Sequence, residues 1–225
     1  MEKGKLYIIA TPIGNSEDIT LRALRILREE VDCVFCEDTR RTLKLLNRYG
    51  IKCPVRSLHA HSTPAKIKSA LSLLIQGKTI AYCTDSGTPS VSDPGSVLVS
   101  AARTEGIDII PLPGASALAA MVSVSGFPEK NIIFAGFLSK KEGKRRRELE
   151  KLKGHGIIIL YESPHRIKKL IRSIAAVFPD SEMVIGREMT KLHEEFISGT
   201  TNGICENIDS IPERGEFTVA IYNRS

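Results

Sequence analysis

The chain has 225 residues, of which 42% are hydrophobic and 26% charged, and its formal net charge is +6. These values are typical of a globular protein and exclude intrinsic disorder and collagen-like structure. The length allows one large domain or two compact ones. We predict two, an N-terminal α/β domain over 1–112 and a C-terminal α/β domain over 115–225.

The N-terminal half repeats one unit, an apolar strand followed by a turn and an amphipathic helix. Strands are predicted over residues 5–10, 31–36, 55–58, 78–83 and 107–110. Thr63 before Pro64 predicts the start of one helix, and Asp93 before Pro94 predicts the start of another. This alternation predicts a largely parallel sheet that is covered by helices on both faces.

A CxxC sequence, Cys33 and Cys36, lies within the second predicted strand. Residues three apart on a strand point to opposite faces, and there is no second CxxC to complete a zinc site. We therefore interpret both cysteines as buried reduced thiols and expect no metal site.

The segment 84–95, TDSGTPSVSDPG, is the most informative loop. Its twelve residues exceed the usual length of a strand-to-helix connection, about 2 to 6 residues. Because a parallel sheet binds ligands beyond the carboxyl ends of its strands, we favour a binding loop over a capped connection rich in turn residues. No phosphate-loop or dinucleotide fingerprint is present, and two carboxylates suit a ligand with hydroxyls or positive charge.

The longest stretch without a charged residue, 109–128, contains three prolines and two glycines. A membrane span needs about 20 mostly apolar residues in a row, so this stretch predicts a loop and then a short helix of small residues over 115–125. The N-terminal apolar run 6–10 is too short for a signal peptide. We expect a cytoplasmic protein.

The C-terminal half predicts a second sheet. Its strands are expected over residues 132–137, 156–161, 182–187, 194–198 and 216–222. The last strand alternates cleanly between apolar and polar residues, and 194–198 fits a hairpin neighbour, so this sheet is predicted to be mixed.

Most of the net charge lies in residues 139–153, where eight basic residues stand against three acidic ones. A concentrated basic patch favours a polyanionic partner, with nucleic acid first. The alternative is a solvated helix face with ion pairs such as Glu142 with Arg146. The residues assigned to a nucleic-acid backbone are Lys140, Lys141, Arg145, Arg146 and Arg147.

Seven motifs in series carry a family resemblance: TPIGN, CEDTR, TDSGTPSVSDPG, PLPGAS, GFL, YESPHR and REMTK. Together they resemble the small-subunit ribosomal RNA 2′-O-methyltransferases of the tetrapyrrole-methylase superfamily, which modify a cytidine ribose. The resemblance extends from residue 5 to the last predicted strand. It implies S-adenosylmethionine as methyl donor, bound between the two α/β domains, and a homodimer that acts on small-subunit ribosomal RNA or the 30S subunit.

The resemblance also implies which residues bind the donor. Carried over by motif position, they are Pro12, Asp85, Ser86, Gly87, Ser116, Ala117, Phe137, Leu138 and Tyr161. Ser116 and Ala117 would contribute through the free backbone N–H groups at the start of a helix.

Charged residues at the predicted strand ends are candidates for catalysis and substrate binding. A positioned base could accelerate methyl transfer to a hydroxyl by about 10² to 10⁴-fold. The candidates for this base are Asp38, Glu162 and Glu188, with His59 as a further candidate that would contact the substrate. Arg40, Arg187 and Lys191 could hold the flanking phosphates. For the trio Glu37, Asp38 and Arg40, a helix N-cap with a surface ion pair is as good an explanation as a catalytic role.

Two other functions stay open. One is a methyltransferase of the same superfamily that acts on a tetrapyrrole or a protein side chain, for which the basic segment would have no purpose. The other is a non-catalytic RNA-binding factor for ribosome assembly. Such a factor is expected to carry an aromatic stacking platform, but aromatic residues make up 5% of the chain and Trp is absent.

Overall fold

The computed structural model describes residues 2–59, 63–92 and 95–223. The chain forms two compact units, unit 1 (residues 1–116) and unit 2 (residues 117–225). The helix start predicted at Asp93 and Pro94 lies outside the described residues.

Unit 1 contains a five-stranded sheet in which every strand is parallel to its neighbours, as predicted. The strands are β1 (Lys5–Ile9), β2 (Cys33–Cys36), β3 (Val55–Ser57), β4 (Ile80–Cys83) and β5 (Asp108–Leu112), in the order β3-β2-β4-β1-β5. The helices are α1 (Leu21–Glu29), α2 (Thr39–Arg48), α3 (Pro64–Ile75) and α4 (Ser96–Thr104).

Helices cover both faces of this sheet, which confirms the prediction. Ile26 of α1 and Leu46 of α2 pack on one face, while Leu74 of α3 and Leu98 of α4 pack on the other. Each helix presents an apolar stripe to the sheet, and burial of these side chains is the main stabilising term. Thr63 stands at the N-cap of α3 before Pro64, although its side chain accepts no capping hydrogen bond.

The two cysteines of the CxxC sequence lie on opposite faces of β2, as the strand period predicts. Cys33 packs among the residues under α3 and α4, and Cys36 packs among those under α1 and α2. Burial raises the pKa of both thiols. Both cysteines are therefore buried thiols with little thiolate character.

The fifth strand is longer than predicted. The expected strand ended before Pro111, but β5 continues through Pro111 to Leu112 and pairs with β1 alone. Pro lacks an N–H, which an edge strand tolerates because one side of it has no hydrogen-bonding neighbour.

Unit 2 contains a five-stranded mixed sheet, again as predicted. Its strands are β6 (Ile132–Gly136), β7 (Ile157–Glu162), β8 (Glu182–Arg187), β9 (Glu195–Thr200) and β10 (Phe217–Tyr222), in the order β6-β7-β10-β8-β9. β6 and β7 are parallel, and the other neighbours are antiparallel. The helices are α5 (Ala117–Ser125), α6 (Glu142–Glu150), α7 (Ile167–Val177) and α8 (Thr201–Glu206).

The core of unit 2 has two parts, one on each face of its sheet. Leu149 of α6, Ile171 of α7 and Ile204 of α8 pack on one face. Met121 of α5 packs on the other face, where Ile159 of β7 is buried. Within the described ranges, no helix has both the length and the apolar composition that crossing a membrane requires.

Candidate functional site

The loop after β4 is joined to the loop after β1 at the carboxyl edge of unit 1. The N–H of Thr11 donates to the Gly87 carbonyl (2.9 Å), and the N–H of Gly87 donates to the Thr11 carbonyl (3.0 Å). Gly87 has φ +80°, and a Cβ there would lie 3.4 Å from Ile13 Cγ2. This close pairing of two loops therefore requires glycine at position 87.

The same loop is joined to the loops after β2 and β5. The Asp85 carboxylate accepts a hydrogen bond from the Asp38 N–H (2.9 Å), and its other oxygen lies 3.7 Å from Arg41 Nε. The Thr88 hydroxyl donates to the Ala115 carbonyl (3.2 Å). The segment 85–88 therefore holds together the loops that follow β1, β2 and β5.

An open groove with a volume of about 110 Å³ lies at this edge of unit 1. Its lining residues are Thr11, Pro12, Gly14, Ser16, Arg41, Thr42, Leu45, Thr84 and Asp85. A typical small-molecule pocket encloses about 300 to 1,000 Å³, so a donor-sized ligand would fill this groove and extend beyond it. Two residues of the expected donor-binding set, Pro12 and Asp85, line it.

Asp38 is the N-cap of α2, which was one of the two explanations offered by the sequence. Its Oδ1 accepts hydrogen bonds from the Arg40 N–H (2.9 Å) and from Arg40 Nε (3.1 Å), and its Oδ2 lies 2.8 Å from Arg40 Nη2. These bonds to Arg40 lower the pKa of Asp38 to about 2. A carboxylate with this pKa is a weak base at neutral pH.

Glu37 was not among the candidates for the base that were chosen from the sequence, yet its environment differs from that of Asp38. Burial raises the pKa of Glu37, and the carboxylates of Asp85 and Asp38 raise it further against the opposing effects of His59 and Arg41. Within the described residues, the Glu37 carboxylate makes no hydrogen bond or ion pair. The sequence signal was available, because Glu37 directly follows β2 at the edge where the sheet binds ligands.

In unit 2, strand register brings two of the sequence motifs to one edge of the sheet. Phe217 of β10 pairs with Glu162 at the end of β7 and with Arg187 at the end of β8. β10 is antiparallel to both strands, so β7 and β8 run in the same direction and end together. YESPHR and REMTK, whose strand-end residues are Glu162 and Arg187, are therefore neighbours.

Aromatic side chains lie close to this edge. The ring centroids of Tyr161 and Phe137 are 5.9 Å apart, and those of Tyr161 and Phe134 are 4.9 Å apart, both edge to face. Phe137 is 57% exposed, so its ring is available to a ligand. The Leu138 side chain is buried in the core on the α6 and α7 face, so a contact of Leu138 with the donor would have to come from its backbone.

Glu162 is a buried carboxylate that organises the turn after β7. Its Oε1 accepts hydrogen bonds from the Ser163 N–H (2.7 Å) and the Ser163 hydroxyl (3.2 Å). Its Oε2 lies 3.0 Å from Arg166 Nη2, but the orientation is not that of a hydrogen bond, so Oε2 is a buried acceptor without one in the described part of the chain. Arg166 in turn donates to the Leu138 carbonyl (2.7 Å).

Glu188 and Lys191 form a local network next to β10. Lys191 Nζ lies 2.8 Å from Glu188 Oε1 and 2.9 Å from Glu216 Oε2. Burial raises the pKa of Glu188, but the hydrogen bonds from Lys191 and from the Glu216 N–H outweigh it, so the pKa is lowered. Arg187 is also paired, since its Nε lies 2.9 Å from Glu195 Oε2.

The basic segment is only partly available to a partner. Arg145 is 4% exposed, which corrects its assignment to an RNA backbone. Its Nε donates to the Ser173 hydroxyl (2.9 Å), and its terminal nitrogens donate to the carbonyls of Ser139, Lys140 and Lys169. Buried Arg side chains are stable only when their donors are satisfied in this way.

The other basic residues of α6 are exposed, and several have acidic partners. Arg146 lies 2.9 Å from Glu142, as the spacing predicted, and Lys144 lies 3.9 Å from Glu148. Lys140, Lys141 and Arg147 are exposed without an ion pair in the described ranges. In the same ranges, no group of three or more His, Cys, Asp or Glu side chains is placed to hold a metal ion.

Comparison with known proteins identifies the class of protein to which these two sheets belong. The profile of the Tetrapyrrole (Corrin/Porphyrin) Methylases matches residues 5–204. The chain belongs to this family. Its members are methyltransferases that use S-adenosylmethionine, and this chain is a methyltransferase with that donor.

Curated relatives narrow the comparison within the family. A protein of Thermotoga maritima is 45% identical over 221 residues, covering 98% of this chain and 99% of its own length. A protein of Leptospira biflexa is 48% identical over 197 residues, covering 87% of this chain and 82% of its own. Both are named Ribosomal RNA small subunit methyltransferase I.

Solved structures with low sequence identity share the fold. A cobalt precorrin-4 methyltransferase of cobalamin biosynthesis superposes with a TM-score of 0.68 at 19% identity, covering 96% of this chain and 94% of that one. A uroporphyrin-III C-methyltransferase from Thermus thermophilus, solved with S-adenosyl homocysteine, gives 0.63 at 17% identity, covering 96% and 97%. These likenesses establish the two-sheet architecture alone.

The burial of Arg145 predicts a structural role that can be measured. Arg145→Ala removes a buried guanidinium and leaves the Ser139 and Lys140 carbonyls without this donor, so it should destabilise the fold by about 3 kcal/mol, or about 6 to 12 °C in Tm. Arg147→Ala on the same helix is the matched control and should change stability by less than about 0.5 kcal/mol. Thermal unfolding followed by circular dichroism measures both. Equal Tm values would contradict the structural assignment of Arg145.

The contacts of Asp85 predict that it acts through loop position rather than charge. Asp85→Ala removes the acceptor for the Asp38 N–H and should weaken binding of S-adenosyl homocysteine by about tenfold. Asp85→Asn keeps an oxygen that can accept the same hydrogen bond, so it should bind within about threefold of the wild type. Calorimetry measures the affinity of both variants for S-adenosyl homocysteine. Equal losses in the two variants would show that the charge is what matters.

Proposed function

We propose that this methyltransferase transfers a methyl group from S-adenosylmethionine to the 2′-hydroxyl of a cytidine ribose in small-subunit ribosomal RNA. The observation that carries the proposal is the 45% identity over 98% of the chain to a relative named for small-subunit ribosomal RNA. The motif series CEDTR, YESPHR and REMTK supports the ribose hydroxyl as acceptor through the family resemblance.

The donor fits the residues of the unit 1 groove. The groove lies at the carboxyl edge of the parallel sheet, where such sheets bind ligands, and Pro12 and Asp85 of the expected donor-binding set line it. In unit 1 the residues proposed to hold the donor are Pro12, Asp85, Ser86, Gly87 and Ser116. In unit 2 they are Ala117, Phe137, Tyr161 and the backbone of Leu138.

The reaction is a displacement at the sulfonium methyl: the hydroxyl oxygen forms the new C–O bond, the C–S bond breaks with its electron pair left on sulfur, and the hydroxyl proton passes to a base. The protein must hold the ribose in line and accept that proton. Glu37 suits the second task best. Its carboxylate is free of hydrogen bonds within the described residues, and its raised pKa makes it a stronger base than Asp38.

The three carboxylates chosen from the sequence differ in how well they suit the role of the base. Asp38 and Glu188 have lowered pKa values and hydrogen-bonded oxygens, so their contacts are those of positioning residues. Glu162 is buried, but its Oε2 keeps an acceptor position without a hydrogen bond in the described structure. Glu162 is therefore the second candidate for the base.

RNA contacts are proposed for the exposed cations. These are Lys140, Lys141, Arg146 and Arg147 of the basic segment and Arg40 at the start of α2, all exposed. His59 belongs with them, since it lies near enough to Glu37 to affect its pKa. Arg187 and Lys191 are less available to phosphates because both are paired with glutamates.

The proposal extends to the assembly and its surroundings. The family resemblance implies a homodimer, which would act on free ribosomal RNA or on the 30S subunit. Ribosomal subunits are in the cytoplasm, so we place the protein there.

Labelled donor and small-subunit ribosomal RNA test the function directly. A 2′-O-methyl group blocks attack of that oxygen on the adjacent phosphodiester. Alkaline hydrolysis should therefore release the label in a dinucleotide that contains the resistant linkage. Label released in a mononucleotide would place the methyl group on a base and contradict the ribose assignment. Incorporation into a tetrapyrrole but not into RNA would favour the other branch of the family.

The role of Glu37 predicts a specific pH dependence. Because the base must be ionised, kcat/KM should rise with pH as Glu37 loses its proton, at a pH above the usual range of a glutamate. Glu37→Gln should lower kcat by about 10² to 10⁴-fold, remove that limb of the profile and leave binding of S-adenosyl homocysteine unchanged. Asp38→Asn, which can still cap α2, is the control. Near wild-type turnover in Glu37→Gln would exclude Glu37 as the base.

A further inference from the structure

The outer face of α2 carries a row of cations, and the sequence predicted a phosphate contact for only one of them, Arg40. The row consists of Arg40, Arg41, Lys44 and Arg48, and all four are exposed. The helix itself contains no acidic residue. Its opposite face is anchored by the buried residues Thr42 and Leu46. α2 is therefore an amphipathic helix whose solvent face is strongly positive.

Arg40 and Arg41 lie next to Asp38 and Asp85, but in the described part of the chain the other two cations of the row lack such a partner. Lys44 and Arg48 have no ion-pair partner within the described residues, and they stand four residues apart, as do Arg40 and Lys44. Like charges at this spacing destabilise a helix by about 0.2 to 0.5 kcal/mol per pair. On α6, by contrast, Lys144 and Arg146 each have a glutamate one turn away.

The two cations in the first turn of α2 are placed against the helix dipole. Positive side chains are disfavoured at a helix N-terminus, where anions are favoured. Arg40 is paired with Asp38, but its side chain is still 88% exposed, and that of Arg41 is 63% exposed. This end of α2 is therefore suited to an anionic ligand in addition to its own cap.

The row begins at the groove of unit 1 and runs away from it. Arg41 lines the groove beside Asp85, and Arg48 ends the helix. At 1.5 Å per residue the row from position 40 to position 48 is about 12 Å long. A chain of phosphates whose reacting ribose lies near the groove would meet these cations in succession.

We propose that the outer face of α2 binds phosphates of the RNA strand next to the methylated nucleotide. The assignment rests on the proposed function, because it takes RNA as the substrate. Arginine forks match phosphate oxygens in pairs, and Lys44 adds a point charge. No aromatic side chain lies within α2, so the face contacts the backbone and does not stack bases.

The test uses Lys44→Gln/Arg48→Gln, since neither residue contacts the groove or the residues assigned to catalysis. For single-stranded RNA each lost phosphate contact should flatten the slope of log K against log salt by about 0.7, so the double variant should lose about 1.4. KM for ribosomal RNA should rise while kcat stays within about twofold. Affinity for S-adenosyl homocysteine should be unchanged.

The matched control is Lys66→Gln/Lys68→Gln on α3. It removes the same charge from exposed positions of the same unit, and α3 packs on the opposite face of the sheet. The control should keep the wild-type slope. A wild-type slope in the α2 variant, or an equal decrease of the slope in both variants, would overturn the α2 assignment. In either case, methylation of RNA by the wild type would leave the proposed function intact.

Three further outcomes also decide against the assignment. A lower kcat at unchanged KM would show that α2 acts through the groove instead of binding RNA. Absence of any RNA methylation by the wild type would overturn the proposed function and this assignment with it. Tighter binding of the wild type to an acidic protein or to anionic vesicles than to RNA would assign the face to a different partner.

Discussion

The hydrogen bond from the Asp38 N–H to the Asp85 carboxylate determines how the carboxyl edge of unit 1 is arranged. β2 and β4 are neighbours in the sheet, but their loops lead into helices on opposite faces of it. Asp85 brings the two loops to within 2.9 Å, and because Asp38 is also the N-cap of α2, the same contact fixes where that helix starts. The arrangement of the groove wall and the position of the cationic face of α2 both depend on this hydrogen bond.

Charge pairing separates the structural ions from those available to a ligand. Asp38, Glu188, Lys191 and Arg187 are paired, so most of their interaction energy is already used within the fold. Glu37, Lys44 and Arg48 are not paired in the described structure, and they carry the cost of partial burial or of like-charge repulsion. Groups that remain unpaired at such a cost are the better candidates for proton transfer and for RNA binding.

The sequence predicted the elements well because each has a local signal. Ten strands and the difference between a parallel and a mixed sheet followed from hydrophobic period and from helix and turn residues. The burial of Arg145 could not be predicted, because the hydroxyl it contacts belongs to Ser173, 28 residues away on α7. Asp38 and Glu37 are adjacent in sequence, and what distinguishes them is that the N–H and the guanidinium of Arg40 both bind the Asp38 carboxylate.

In both sheets the strand ends that carry the motifs meet at one edge, but the two topologies bring them together in different ways. In unit 1 all strands are parallel, so the loops after them meet at one edge without further conditions. In unit 2 the sheet is mixed, and strand ends meet only because β10 lies antiparallel between β7 and β8. The position of the last strand therefore decides that Glu162 and Arg187 share an edge. A sequence that kept both motifs but lost the C-terminal strand would lose that register and the hydrogen-bonded pairing on which it depends.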